Sequence, residues 1–192
     1  MLRFGVVLLA FAAQALPADL EIRYSALERM VAAQMFTQEG RRYVRGSQAA
    51  KCQYAYLEAP KLSAAGDRLQ VTARFSGRSA MDLFSRCVGM GDSFDVAITA
   101  LPVPRKGAIA FQETQVSTRK DSYYIRRVRS AMMATFDKDF KIEIRDQARR
   151  LIEQPVSTGS IYQQELKDLD LTGIRVTPDA LVLVVDFKLI VK

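Results

Sequence analysis

Residues 122–153 run SYYIRRVRSAMMATFDKDFKIEIRDQARRLIE, and their period sets the architecture. Ile125, Val128, Met132, Phe136, Phe140, Ile144, Ala148 and Leu151 recur at a mean spacing of about 3.7 residues, the repeat of an amphipathic helix. Arg126, Arg127, Arg129, Lys138, Lys141, Arg145 and Arg149 occupy the other faces. One uninterrupted helix of about 30 residues would be about 45 Å long. That exceeds the usual globular helix, so two arrangements stay open: a single rod, or a break near Asp137-Lys138-Asp139. Pro155 ends the pattern.

Upstream the period changes. Leu20 to Tyr24 alternates as a strand does. Ser25-Ala26-Leu27-Glu28 matches a capping box, with Leu27, Met30, Val31 and Met35 on one helical face and Gly40 as the stop. Strands are expected at Arg41–Arg45 and Lys51–Glu58, the second closed by Pro60. Residues 69–75 and 94–100 alternate cleanly, and 108–117 more weakly. Pro102, Pro104 and Gly107 read as a turn. Downstream, Leu169–Val176, broken at Gly173, and Leu181–Val191 form a hairpin around Thr177-Pro178-Asp179-Ala180. The expected fold class is α+β: a strongly curved antiparallel sheet wrapped around one long amphipathic helix, with a short N-terminal helix.

Such a sheet either fills its space with side chains or leaves an apolar groove beside the helix. For the groove the expected lining is Leu69, Val71, Phe75, Phe94, Val96, Ile98, Val128, Met132, Phe136 and Phe140. Methionine in that set adapts to variable apolar guests.

The 192 residues contain no histidine, which removes Ser-His-Asp and Cys-His nucleophiles, imidazole bases and the usual zinc sites. Gly91-Asp92-Ser93 matches the triplet at the nucleophile of GDSL-type esterases. Without a histidine to take the serine proton, it and the adjoining Gly89-Met90 read as a turn. Asp139, Glu143 and Asp146 share a helical face, but Lys138, Lys141, Arg145 and Arg149 interleave, so an ion-paired surface is expected and no metal or cofactor. No catalytic residue is assigned. Two carboxylates facing one cleft would be needed to revive an enzymatic reading.

Met1 to Ala18 has the parts of a secretory signal peptide. Arg3 is the basic residue, Phe4 to Ala13 the apolar run, and Ala13-Gln14-Ala15 or Leu16-Pro17-Ala18 the cleavage site. Ten apolar residues rise only about 15 Å as a helix, half of a bilayer core. Residues 1–18 hold no cysteine for lipid attachment, so a soluble periplasmic or secreted protein is expected. Removing Arg3 lowers the net charge from +7 to +6. In an oxidising compartment Cys52 and Cys87 are expected to pair, worth about 3–4 kcal/mol by loop closure, the alternative being two buried thiols.

Two basic and aromatic clusters remain, Gly40–Gly46 and Arg119–Arg129. Arg119, Arg126, Arg127 and Arg129 are the expected contacts for an anionic head group or partner. After export, an anionic membrane surface or envelope component is the expected partner rather than nucleic acid.

The opening Leu20-Glu21-Ile22-Arg23-Tyr24-Ser25-Ala26-Leu27-Glu28, followed by meandering strands, a long helix and a closing strand pair, resembles the YceB-type periplasmic proteins of the tubular lipid-binding (TULIP-like) class. The resemblance implies one such domain over residues 19–192, an apolar groove, and a lipid or other hydrophobic small molecule as ligand. It brings no enzymatic residues. An envelope interaction protein with a filled core and a basic partner-binding face is the competing expectation.

Overall fold

The computed structural model describes residues 18–119, 123–153 and 162–192. Residues 1–17 of the expected signal peptide lie outside the described residues. Ala18, its last residue, already pairs with Val185. The architecture is α+β and mostly sheet. Strand β1 (Ala18–Arg23) leads into α1 (Tyr24–Met35), then β2 (Arg41–Arg45), β3 (Gln53–Ala65), β4 (Arg68–Leu83), β5 (Arg86–Arg105) and β6 (Ala108–Thr118). Helix α2 (Tyr123–Asp139), β7 (Lys141–Glu143), α3 (Arg145–Glu153), β8 (Gln164–Val176) and β9 (Ala180–Val191) complete the chain. A curled six-stranded antiparallel sheet has the order β2-β3-β4-β5-β6-β7, and a three-stranded sheet the order β1-β9-β8. The closing hairpin is β8–β9, with a register shift between Leu171 and Gly173. Among the described residues no helix is long and apolar enough to cross a membrane.

The single long helix is not formed. The chain leaves α2 at Asp139, crosses three residues of β7 and starts again as α3. The cause lies in Phe140-Lys141-Ile142-Glu143-Ile144, which alternates with period two. As a strand it buries Phe140, Ile142 and Ile144 together, at 7%, 0% and 2% exposure. As a helix it would turn Ile142 away from that face. The edge of β6 accepts β7 through Ile109–Ile142 and its neighbours. The other edge of β7 meets the Gln34 side-chain amide, which donates to the Glu143 carbonyl (3.2 Å) and accepts the Glu143 N–H (3.0 Å). One side chain of α1 thus satisfies both backbone groups of an edge residue. Beyond β7 the stripe shifts: Leu151 is exposed, while Ile152 packs against the core.

Gly107 fixes the second break. Its carbonyl accepts the N–H groups of Ile144 (3.0 Å) and Arg145 (2.9 Å). Its φ is +85°, and a Cβ there would lie 2.9 Å from the Cβ and Nε of Arg145. The Arg145 guanidinium in turn holds α3 to β8, donating to the Leu169 carbonyl (2.8 Å) and to Asp168 and Asp170 (both 3.1 Å). Gly107→Ala is expected to cost about 1–2 kcal/mol through the left-handed backbone alone. A shift in denaturation midpoint measures it; an unchanged midpoint would show the turn relaxing freely.

Four further sequence expectations are corrected. The capping box does not form: α1 begins at Tyr24, and its N-cap Arg23 makes no side-chain cap bond. The Glu28 carboxylate instead accepts the Leu62 N–H of β3 (2.9 Å) and pairs with Lys61 (3.4 Å). This lies just past a bulge at Ala59-Pro60, so Pro60 kinks β3 without ending it. Likewise Pro102 and Pro104 lie within β5 opposite Phe111 and Ile109. Pairing of β5 with β4 stops at Ala100, so the strand has one free side there that tolerates a missing N–H. Finally, residues 89–93 are strand, not turn, paired with 76–80. A Cβ on Gly89 would lie 2.4 Å from the Ser79 carbonyl oxygen, so the glycine serves close strand approach.

Candidate functional site

The ten residues expected to line a groove come from β4, β5, α2 and the residue following it. Leu69, Val71, Phe75, Phe94, Val96, Ile98, Met132, Phe136 and Phe140 are all buried in one hydrophobic cluster. Phe75 stacks obliquely on Phe94 at 4.8 Å between ring centres, and Phe136 on Phe140 at 4.3 Å. Val128, half-buried, packs at the border of that cluster.

Val128 also lines a cavity of about 680 Å³. Its walls are Val44 and Arg45 of β2, Tyr54 and Ala55 of β3, Arg78 and Ser79 of β4, Met90 of β5, and Arg127, Val128 and Ala131 of α2. The helix spacing i, i+1, i+4 turns one side of the first half of α2 toward the hollow. The β2–β3 register shift between Tyr43 and Arg45 puts Val44 at its edge. Val44, Ala55, Met90, Val128 and Ala131 give an apolar surface, and three arginines give a cationic one.

Two of the arginines are held by neutral groups. Arg45 donates to the Gln53 side-chain oxygen (3.4 Å) and Arg78 to the Cys87 carbonyl (3.2 Å). Neither of these two bonds cancels the charge of its arginine. Behind it Tyr54 and Tyr56 stack at 5.8 Å, and the Arg41 guanidinium lies 4.6 Å above the Tyr56 ring. Its hydrogen bond to the Tyr43 side chain is the first cause holding the Arg41 pKa above its usual value.

Of the four arginines expected at a head group, Arg127 stands on the cavity wall. Arg126 is exposed beside it on α2, Arg129 is half-buried, and Arg119 is exposed just past β6. The carboxylates expected on one helical face are divided by the break. Asp139 ends α2, Glu143 lies in β7 and pairs with Lys141 (2.7 Å), and Asp146 is in the first turn of α3.

The sequence placed Val44 and Arg45 in a basic and aromatic cluster without assigning them to the groove, and it gave no role to Tyr54, Ala55, Arg78, Ser79, Met90 and Ala131. One signal existed: extending the alternation of Phe94, Val96 and Ile98 back by two residues at a time passes Asp92 and reaches Met90 and Val88. The local glycines masked it. No family model, curated protein or solved structure matches this chain.

Proposed function

We propose that this chain is an exported, non-catalytic binding protein of the cell envelope or secreted medium. It holds a lipid or similar amphiphile with its apolar tail in the cavity beside α2. The anionic head sits against Arg45, Arg78 and Arg127. The observation that carries this is the join of an apolar and a cationic wall in one hollow of about 680 Å³, a volume within the range of small-molecule sites. The likeness in element order to the tubular lipid-binding class agrees with such a ligand, although the interrupted helix departs from it. The Cys52–Cys87 disulfide agrees with export.

Magnitudes say that both walls are needed. Burying about eight methylenes contributes about 6 kcal/mol. Association and ordering cost about 4–15 kcal/mol, so the tail alone gives weak binding. Charge-assisted hydrogen bonds from arginine add about 1.5–3 kcal/mol each.

Solvent extraction and native mass spectrometry of the purified protein are expected to release an acyl-bearing molecule. Val128→Trp, which fills the cavity from α2, is expected to lower its occupancy about tenfold, a loss of about 1.4 kcal/mol, while the thermal midpoint holds. Arg45→Glu should weaken a fatty acid far more than the matching alcohol. Empty protein from several hosts, with no fatty-acid binding in solution, would overturn the proposal.

A second reading is a protein with a filled core that binds an envelope partner through its basic face. It is favoured by the close packing of the nine buried residues above. Unchanged lipid occupancy in Val128→Trp, with partner capture lost on reversing Arg126 and Arg127, would select it.

A further inference from the structure

Past the register pair Ser79–Met90 the β4–β5 hairpin leaves the sheet. β3 pairs with β4 only as far as Gln53–Ser79, and β6 reaches β5 only at Val96–Thr118. Residues 80–89 are therefore a two-stranded ribbon, closed by a turn at Phe84-Ser85. Five residue steps of about 3.3 Å carry Phe84 roughly 16 Å beyond Ser79.

Directly opposed residues of a ladder share a face. The pairs Met81–Val88 and Leu83–Arg86 continue the face that carries Phe75–Phe94 in the core. On the ribbon that face is open: Met81 is 66% exposed, Val88 57% and Met90 74%. Phe84, at the turn, is 99% exposed. The opposite face carries Cys87, bonded to Cys52, and the Ala80 N–H donates to the Cys52 carbonyl (2.9 Å). An isolated two-stranded ribbon is marginal in water, so this staple keeps it formed.

The turn is built at a cost. Phe84 and Ser85 have φ of +52° and +63°, a conformation that suits hairpin twist but favours Asn-Gly. A bulky aromatic there is strained, and its exposure returns nothing to the fold. The charge nearby is basic. Arg86 stands at the tip, Arg78 lower on β4, and Arg45 and Arg127 on the cavity wall that includes Met90. Asp82 on the ribbon and Asp92 at its base are the acidic residues, against four arginines. A narrow apolar tip on cationic ground matches a surface that is apolar beneath a sheet of negative charge.

We propose that the β4–β5 tip inserts into the interface of an anionic lipid bilayer, with Phe84, Leu83 and Met81 below the phosphates and Arg86 and Arg78 against them. Interfacial elements bury side chains about 5–10 Å deep, within the reach of this ribbon. The inference stands apart from the ligand in the cavity and survives an empty one.

The chain contains no tryptophan, so Phe84→Trp places a single reporter at the tip. Added to vesicles of phosphatidylcholine and phosphatidylglycerol, its emission should move to shorter wavelength and be quenched by lipids brominated near the carbonyls. Phe84→Asn relaxes the turn, so its thermal midpoint should hold or rise while vesicle affinity falls about tenfold. Leu83→Asp should act in the same direction. Wild-type protein that ignores anionic vesicles at low salt, or Phe84→Asn that binds like wild type, would overturn the proposal. So would an indole reporter in Phe84→Trp that stays in water while the protein is bound, which would leave the tip to a protein partner.

Discussion

Phe75→Ala is expected to lower the unfolding free energy by about 3–5 kcal/mol, the usual cost of truncating a fully buried aromatic. The Phe75 ring is 0% exposed, and β4 and β5 hold it against Phe94 on the concave side of the sheet. Truncation removes both its transfer free energy and the oblique ring contact, which adds about 0.5–1.5 kcal/mol beyond area. Urea denaturation checks this, with the midpoint moving and the slope unchanged. The measurement also bears on function. A loss below about 1 kcal/mol would mean that the ring faces room rather than packed atoms, and would return Phe75 to the lining of a groove.

Removing the disulfide, as Cys52→Ala with Cys87→Ala, is expected to cost about 3–4 kcal/mol through the loop it closes. At roughly 2–4 °C per kcal/mol for a chain of this size, the thermal midpoint should fall by about 6–16 °C. The damage should be local as well as global. Among the described residues, Cys87 is the only link other than backbone pairing that ties the ribbon to the Cys52 loop. Residues 79–90 should therefore become sensitive to protease before the rest of the sheet. Limited proteolysis of oxidised and reduced protein checks this. Equal cutting within residues 79–90 in both states would show that the bond acts on the unfolded chain alone.

Much of the sheet was legible because its strands alternate. Residues 69–75, 94–100 and 181–191 carry strand patterns, and each lies inside an observed strand. The closing hairpin was legible from its turn, where Thr177 and Ala180 bond each other through backbone and hydroxyl. The misreadings share one cause, that local signals were given their isolated meaning. Pro60, Pro102 and Pro104 interrupt a strand only where an N–H is needed, and the sheet offered a bulge and a one-sided strand. Ser25 and Glu28 fit a capping box, yet Glu28 gains more from the Leu62 N–H of another element. The glycines at 89 and 91 suggested a turn, but both pair with a facing strand at 78–80, which approaches closely at Gly89.

The helix stripe shows the limit most clearly. Eight apolar residues from Ile125 to Leu151 fit a helical period, and seven of them are at least half-buried. Phe140, Ile142 and Ile144 also fit a strand period, and the two patterns share residues. Local propensity cannot choose between periods that overlap. The free edge of β6 and the Gln34 amide chose, because together they give β7 partners on both sides.

From its own residues the chain set the α+β class, the alternating faces, the lack of imidazole chemistry, the basic charge and a cysteine pair able to close one loop. Those follow from composition and from periods that need no partner. Tertiary structure alone decided where the helix breaks, which apolar residues become core, and which are left as a cavity wall or an open ribbon. Whether a side chain is buried depends on which element arrives opposite it, and that arrival is a property of distant residues.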